Sequence, residues 1–343
     1  MSAAPCRYFE YSAAAAVDLP TQPAVAFPSS LHTSPCASTI TPLDCAPALG
    51  STPYPATSPN LLASFLTVIP GCAPLITDPN ATSQLFYVIR GSGSSASADG
   101  GVAVAWGEGD VFTLPGCTGA VAHTATAPSS LYWVHDSPLL QYLGVAPTAP
   151  TFSPAVYKRE ELLAKVEEVR HQPGAEHRNR MGVLLAHEST EGETKTLTRV
   201  LWALLNTLPP RTAQPPHRHN SVALDLCVSA APGQVCVCGA RRRRTGPHTH
   251  TATPFTSFLS SLSPPLCVSR YTLMGPELGA DGWVKDPIRM DWLPGAVFTT
   301  PPGWWHSHHN DGDERAWVLP VQDAGLLTRQ RVLDIRFSHA LAP

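Results

Sequence analysis

The chain runs to 343 residues, 43% of them hydrophobic and 14% charged, with a formal net charge of -3. That length suffices for two domains that each bury a core, and the charge lacks the basic excess that nucleic-acid phosphates attract. The 36 prolines and 24 glycines favour turns and short strands over long helices.

Residues 1–55 are dominated by Ala, Pro, Ser and Thr and read as an irregular N-terminal arm laid over a folded body. Residues 56–150 alternate short apolar runs with turn signals. Leu85 to Ile89 precedes Gly91 and Gly93, Val102 to Trp106 precedes Gly107 and Gly109, and Val111 to Pro115 follows. Runs of this length, rich in β-branched and aromatic residues and cut by glycine, are strands of a sandwich or barrel. Residues 151–195 are a helical linker: between Lys158 and Arg170 the side chains of Leu162, Leu163, Val166 and Val169 share one face, with charges opposite. Residues 196–343 form a second β-rich region, running from about Thr196 to Phe337. The expected class is all-β, two barrels joined by a short helix.

Residues 234–269 interrupt that second region. They open on Gln234-Val235 and include Arg241 to Arg244 and His248-Thr249-His250. A tract from Pro254 to Leu266 then uses only Pro, Phe, Leu and Ser apart from Thr256. Those four residue types follow from pyrimidine-rich codons, and Gln-Val can be read from a splice-donor consensus. The segment reads as a translated intron or a disordered insertion in a strand–strand loop, with a natural low-complexity loop as the alternative. Its arginines and its His-x-His are therefore assigned no nucleic-acid or metal role.

Two spacings carry the chemistry. The first is Gly295-x5-Pro301-x-Gly303-x2-His306-x3-Asn310: a glycine turn, a Pro-x-Gly corner, and a histidine delivered by a strand. The second is His217-Arg218-His219 after Pro215-Pro216. Residues two apart on a strand point to one face, so His217 and His219 project inward together. With His306 from another strand they give three imidazole nitrogens around one cation and leave positions open. The first spacing resembles the second motif of the cupin superfamily at every fixed position. Cupins have a glutamate a few residues after the second histidine, but Ala223 and Leu224 stand there. Its absence resembles the gentisate 1,2-dioxygenase-like bicupins, which use three histidines, and the likeness extends through Pro301 to His308 and Asn310 to Glu314.

The resemblance implies two cupin barrels (double-stranded β-helix, or jelly-roll, domains), a metal on His217, His219 and His306, and a dioxygenase activity. Fe(II) is the metal it implies, with Mn, Ni or Zn as alternatives. It also implies an inward arginine eight residues after the first histidine, where this chain has Asp225. By parity Asp225 shares a face with the histidines, and an acid there repels a carboxylate and attracts a hydroxyl or a cation. Asp225 is thus a candidate catalytic residue, to orient substrate, to act as a base or to approach the metal. His308, with the parity of His306, is a candidate donor or proton shuttle beside the ligands. His309 is expected to be exposed, Trp304 and Trp305 to wall the pocket or simply to pack in the core or at the rim, and Gln322 to reach the cavity.

The first barrel repeats the spacing without the ligands. Gly71-x5-Thr77-x-Pro79-x4-Gln84-x6-Gly91 puts Thr77 and Pro79 where histidines belong and Gln84 where the glutamate belongs. Gly109-x5-Pro115 opens a second motif, and His123 is the one imidazole left, too few for a transition metal.

The expected function is a metal-dependent dioxygenase-like enzyme acting on a small, hydroxylated aromatic substrate. The alternatives are a non-oxidative isomerase or lyase that uses the metal as a Lewis acid, and a non-catalytic small-molecule-binding bicupin. No nucleic-acid or membrane partner is expected, and a homo-oligomer fits barrels that bury sheet edges. Nine cysteines without a tight repeat, with Cys236 and Cys238 too isolated for half a zinc finger, fit a reducing compartment. With no long apolar stretch and the early acids Glu10 and Asp18, a cytoplasmic location is expected.

Overall fold

The computed structural model describes residues 4–15, 19–33, 36–50, 53–175, 178, 181–228 and 269–339. The anticipated insertion at 234–269 therefore lies, apart from Ser269, outside the described residues.

The arm carries α1 (Tyr11–Ala15), β1 (Ala26–Phe27), α2 (Ser30–Thr33), β2 (Thr39–Pro42) and α3 (Ala46–Leu49). The first barrel follows with β3 (Leu62–Val68), β4 (Leu75–Thr77), β5 (Ser83–Arg90), β6 (Ser92–Ser97), β7 (Ala103–Gly107), β8 (Val111–Pro115), β9 (Val121–Ala125) and β10 (Ser129–His135). Next come α4 (Ser137–Leu143), β11 (Ala155–Tyr157) and α5 (Arg159–Arg170). The second barrel opens with β12 (Met181–Leu185), α6 (Glu188–Glu191), β13 (Trp202–Leu208), β14 (Thr212–Ala213), β15 (His217–His219) and β16 (Ala223–Val228). It closes with β17 (Arg270–Gly275), β18 (Ile288–Asp291), β19 (Val297–Thr300), β20 (Trp305–Asn310), β21 (Ala316–Gln322), α7 (Ala324–Gln330) and β22 (Ile335–Phe337).

Each barrel is two facing antiparallel sheets, and the two barrels repeat one strand order. One sheet reads β8-β5-β10-β3 in the first barrel and β19-β16-β21-β13 in the second; the other reads β7-β6-β9-β4 and β18-β17-β20-β15. The repeat extends to the tie between β5 and β10. Asp136 Oδ1 accepts from the amides of Thr82 and Ser83, as Asp323 Oδ1 accepts from that of Val222.

The arm is less irregular than its composition suggests. β1 adds to the edge of the second barrel at β19, while β2 adds to the first at β3, so the arm crosses between them. Edge pairing of this kind satisfies backbone groups that a low-periodicity sequence gives no hint of. The linker likewise contributes strands at both its ends: β11 pairs with β8 and β12 with β13.

Alternation sorts the cores. Phe86, Phe112, Leu114, Leu131 and Trp133 fill the first barrel, and Met274, Met290, Trp292, Phe298 and Val318 fill the second. The opposite faces of the central strands, with Phe65, Tyr87, Tyr132, Leu224, Leu226 and Leu319, join Leu162 and Val166 of α5 in a third core between the barrels. Burial on both faces explains why β5 and β10 read as continuous apolar runs. Among the described residues no helix is long and apolar enough to cross a membrane.

Candidate metal centre

His217 and His219 leave β15 on its buried face, while Arg218 between them points out, its guanidinium 5.0 Å from the Trp305 ring. β20 lies antiparallel to β15 with His217 opposite His306. Two residues along the same face of β20 stands His308, also buried. Four imidazoles thus meet inside the second barrel. The His217 ring is 4.0 Å from that of His306, 5.8 Å from that of His308 and 6.2 Å from that of His219, and His219 is 4.9 Å from His306.

One ring nitrogen each from His217, His306 and His308 lie within 4.8 Å of one another. Two nitrogens bound cis at about 2.1 Å from one cation lie roughly 3 Å apart, so small ring rotations bring such a set to bonding distance. The chemistry of the donors also fits a metal. His306 Nδ1 donates to the carbonyl of Trp304 at 3.1 Å, and His219 Nδ1 to that of Ser221 at 2.9 Å. A carbonyl only accepts, so each Nδ1 carries the hydrogen and each Nε2 the lone pair a metal needs. Ser221 in turn donates to Gln322 Oε1 at 2.8 Å, so Gln322 bonds to the residue that holds His219.

By distance His308, rather than the expected His219, groups with His217 and His306; the His219 ring lies 4.9 Å from that of His306 and 6.2 Å from that of His217. His308 Nδ1 faces the Thr272 hydroxyl at 2.8 Å, and that oxygen accepts from Trp292 Nε1 at 2.8 Å. His309 departs from the expected exposure. It is half-buried on the opposite face of β20, stacked on Tyr271 at 4.8 Å with its Nε2 to Ser307 Oγ. Trp304 packs against the barrel core, and Trp305 turns to Arg218.

Asp225 is buried on β16, on the alternate residues that include Ala223 and Cys227, and its Oδ2 accepts from the Thr300 hydroxyl at 2.7 Å. Burial, and then the Asp225 charge, push the Cys227 thiol and the Tyr132 phenol well above their ordinary pKa values.

Register decides what the first barrel has lost. Thr77 on β4 lies opposite Val121 on β9, as His217 lies opposite His306. Val121 therefore stands in the place of His306. His123 lies opposite Ser95 as His308 lies opposite Thr272, and so occupies the place of His308. The network around it is repeated as well: Trp106 Nε1 donates to Ser95 Oγ at 2.9 Å, and Ser95 Oγ and Thr77 Oγ1 flank His123 at 2.8 Å each. Sequence spacing missed this network and a second buried imidazole, His135, which packs 4.2 Å from the Trp133 ring. Burial holds both imidazoles neutral, with pKa lowered to about 4 for His123 and about 3 for His135.

No protein-family model and no curated protein sequence matches the chain. Solved structures do. Salicylate 1,2-dioxygenase from Pseudaminobacter salicylatoxidans matches with a TM-score of 0.59 and 12% identity, over 92% of this chain and 88% of that one. A variant of that enzyme in complex with gentisate matches with a TM-score of 0.60 and 11% identity, over 93% and 86%. Two jelly-roll barrels that repeat one strand order, matched nearly end to end by these structures, make this chain a bicupin in fold.

Proposed function

We propose that the chain is a metal-dependent oxygenase whose second barrel binds Fe(II) on His217, His219 and His306 and acts on a small hydroxylated aromatic substrate. The observation that supports this reading is the buried cluster of four imidazoles: ring nitrogens of His217 and His306 lie within 4.8 Å of each other, together with one of His308, and the His219 ring lies 4.9 Å from that of His306. Its donor chemistry suits a divalent transition metal, and the fold is shared with a salicylate 1,2-dioxygenase. A redox-active metal held there supplies polarisation of substrate oxygens and activation of oxygen.

The protein's own part is geometry and exclusion of water. Carbonyls fix the Nδ1 hydrogens of His219 and His306. His308 donates to substrate from the side, and Asp225 selects it. A buried carboxylate repels salicylate-type or gentisate-type carboxylates and favours a ring that presents a hydroxyl. The substrate class is therefore a hydroxylated aromatic without a carboxylate.

Metal analysis of the purified protein tests this, followed by oxygen-uptake assays with catechols, hydroquinones, salicylate and gentisate. One equivalent of iron and uptake with an uncharged dihydroxy-aromatic are expected. Bound metal without uptake for any compound would turn the reading to Lewis-acid isomerase or lyase chemistry, and no bound metal to a binding role.

A further inference from the structure

The second barrel contains a hydrogen-bond chain that reaches His308 and that the metal reading does not need. Trp292 Nε1 donates to Thr272 Oγ1 at 2.8 Å, and Thr272 Oγ1 lies 2.8 Å from His308 Nδ1. An indole N–H only donates, so it occupies one lone pair of the threonine oxygen. Two arrangements remain. Either the Thr272 hydroxyl donates to His308 Nδ1, or His308 Nδ1–H donates to the hydroxyl oxygen. In the second case both lone pairs are used and the hydroxyl hydrogen has no acceptor among the described residues, at a residue with 0% exposure. A buried donor left without an acceptor is disfavoured enough to bias the tautomer population roughly tenfold.

We propose that Trp292 and Thr272 are positioning residues that lock neutral His308 with Nδ1 as acceptor and Nε2 carrying the hydrogen. A protonated Nε2 has no lone pair for a cation. His308 is thereby kept out of the ligand set despite its distance and made a hydrogen-bond donor to whatever lies beside the metal. This rests on the metal-centre reading for its consequence, but not for the tautomer.

The first barrel supports the device independently of any metal. Trp106, Ser95 and His123 repeat Trp292, Thr272 and His308 at equivalent register positions, with the indole donating to a hydroxyl that is 0% exposed. There the far nitrogen of His123 meets Thr77 Oγ1 at 2.8 Å, at the position His217 takes in the second barrel. The chain of bonds has been kept where the ligand positions hold Thr77 and Val121. It is therefore a unit distinct from the ligand set.

The experiment is a long-range proton–nitrogen correlation spectrum of the metal-free, nitrogen-15 histidine-labelled full chain, with His308→Gln for assignment. The wild type and Thr272→Ser are expected to show His308 with Nε2 protonated; Thr272→Val and Trp292→Phe are expected to show mixed tautomers. Cobalt(II) titration of the same proteins supplies the second readout. His306→Ala is expected to weaken cobalt binding at least a hundredfold and His308→Gln less than threefold. A wild-type His308 with Nδ1 protonated overturns the proposal, as does a cobalt site lost equally in both variants. If cobalt binds nowhere, the metal reading falls while the tautomer still decides this one, and if Thr272→Val does not fold, the Trp292→Phe spectrum decides it.

Discussion

Lowering the pH from 7 to 5 should weaken the first barrel by an amount traceable to His123. That imidazole is 0% exposed, and burial lowers its pKa from 6.5 to about 4. Between those values the unfolded chain takes up a proton that the folded chain refuses, so stability falls as pH falls through the window. A tenfold difference in proton affinity between the two states is worth about 1.4 kcal/mol, and the part of the window between pH 7 and 5 amounts to roughly 2 kcal/mol for this one group. His135, with a pKa of about 3, adds a similar slope. Buried Asp136 and Asp323 have pKa values raised by burial, which act in the opposite direction. The assay is urea unfolding of wild type and His123→Asn at half-unit steps, with chelator present to remove metal linkage. The variant should be less stable at pH 7, because the bonds to Thr77 and Ser95 are altered, and its disadvantage should shrink by about 2 kcal/mol at pH 5. Parallel stability curves for the two proteins would refute the idea that His123 is buried and neutral.

Other consequences can be measured with the same proteins. Saturating Fe(II) or Co(II) at about 100 times its Kd should add ~2.7 kcal/mol of stability to the wild type and nothing to His306→Ala, read as a shift in the unfolding midpoint. Asp225→Asn should improve binding of salicylate or gentisate relative to an uncharged catechol by about fivefold or more, since removing one of two like charges near 4 Å apart is worth at least ~1 kcal/mol; unchanged relative affinity by calorimetry would show that Asp225 does not face the ligand. Gly93→Ala should cost more than about 2 kcal/mol in denaturant unfolding, because a Cβ there would lie 2.1 Å from the Thr124 carbonyl oxygen and 2.5 Å from the Trp106 ring.

Much of the second motif was legible because its fixed residues each do one local task. Gly295 and Gly303 take positive φ, of 76° and 78°, which other residues rarely adopt. Asn310 donates to the carbonyls of Leu208, Pro209 and Glu314, tying the end of β20 to its neighbours. The inward pair His217 and His219 followed from strand alternation alone. What spacing could not give was cross-strand register. His306 and His308 have the same parity, as do Val121 and His123, and only the pairing of β20 with β15 and of β9 with β4 tells the two places apart. The strand β22, which covers the edge of β15 at His217 to His219, was hidden for a related reason. A short edge strand is specified by the neighbour it meets, and Ile335, Arg336 and Phe337 have no periodicity of their own.

The internal repeat carries the argument about function further than the outside likeness does. At 12% identity a shared fold does not transfer a substrate, but two barrels in one chain are built from the same plan and differ at identifiable places. The indole–hydroxyl–imidazole chain is present in both. The imidazoles lost from the first barrel are those at the positions of His217 and His306, now Thr77 and Val121, and Pro79 replaces His219. If the chain of bonds served the metal directly, its persistence beside Thr77 and Val121 would have no physical reason. If it serves to satisfy a buried imidazole and fix its tautomer, it is needed in both barrels, and only in the second does the imidazole stand among further histidines, His217 and His306. Grafting Thr77→His, Pro79→His and Val121→His into the first barrel should then create a second cobalt site while the Trp106–Ser95–His123 chain is kept and only the Thr77 bond to His123 is lost, and failure of the grafted barrel to bind cobalt while still folding would show that more than these three positions separates the two.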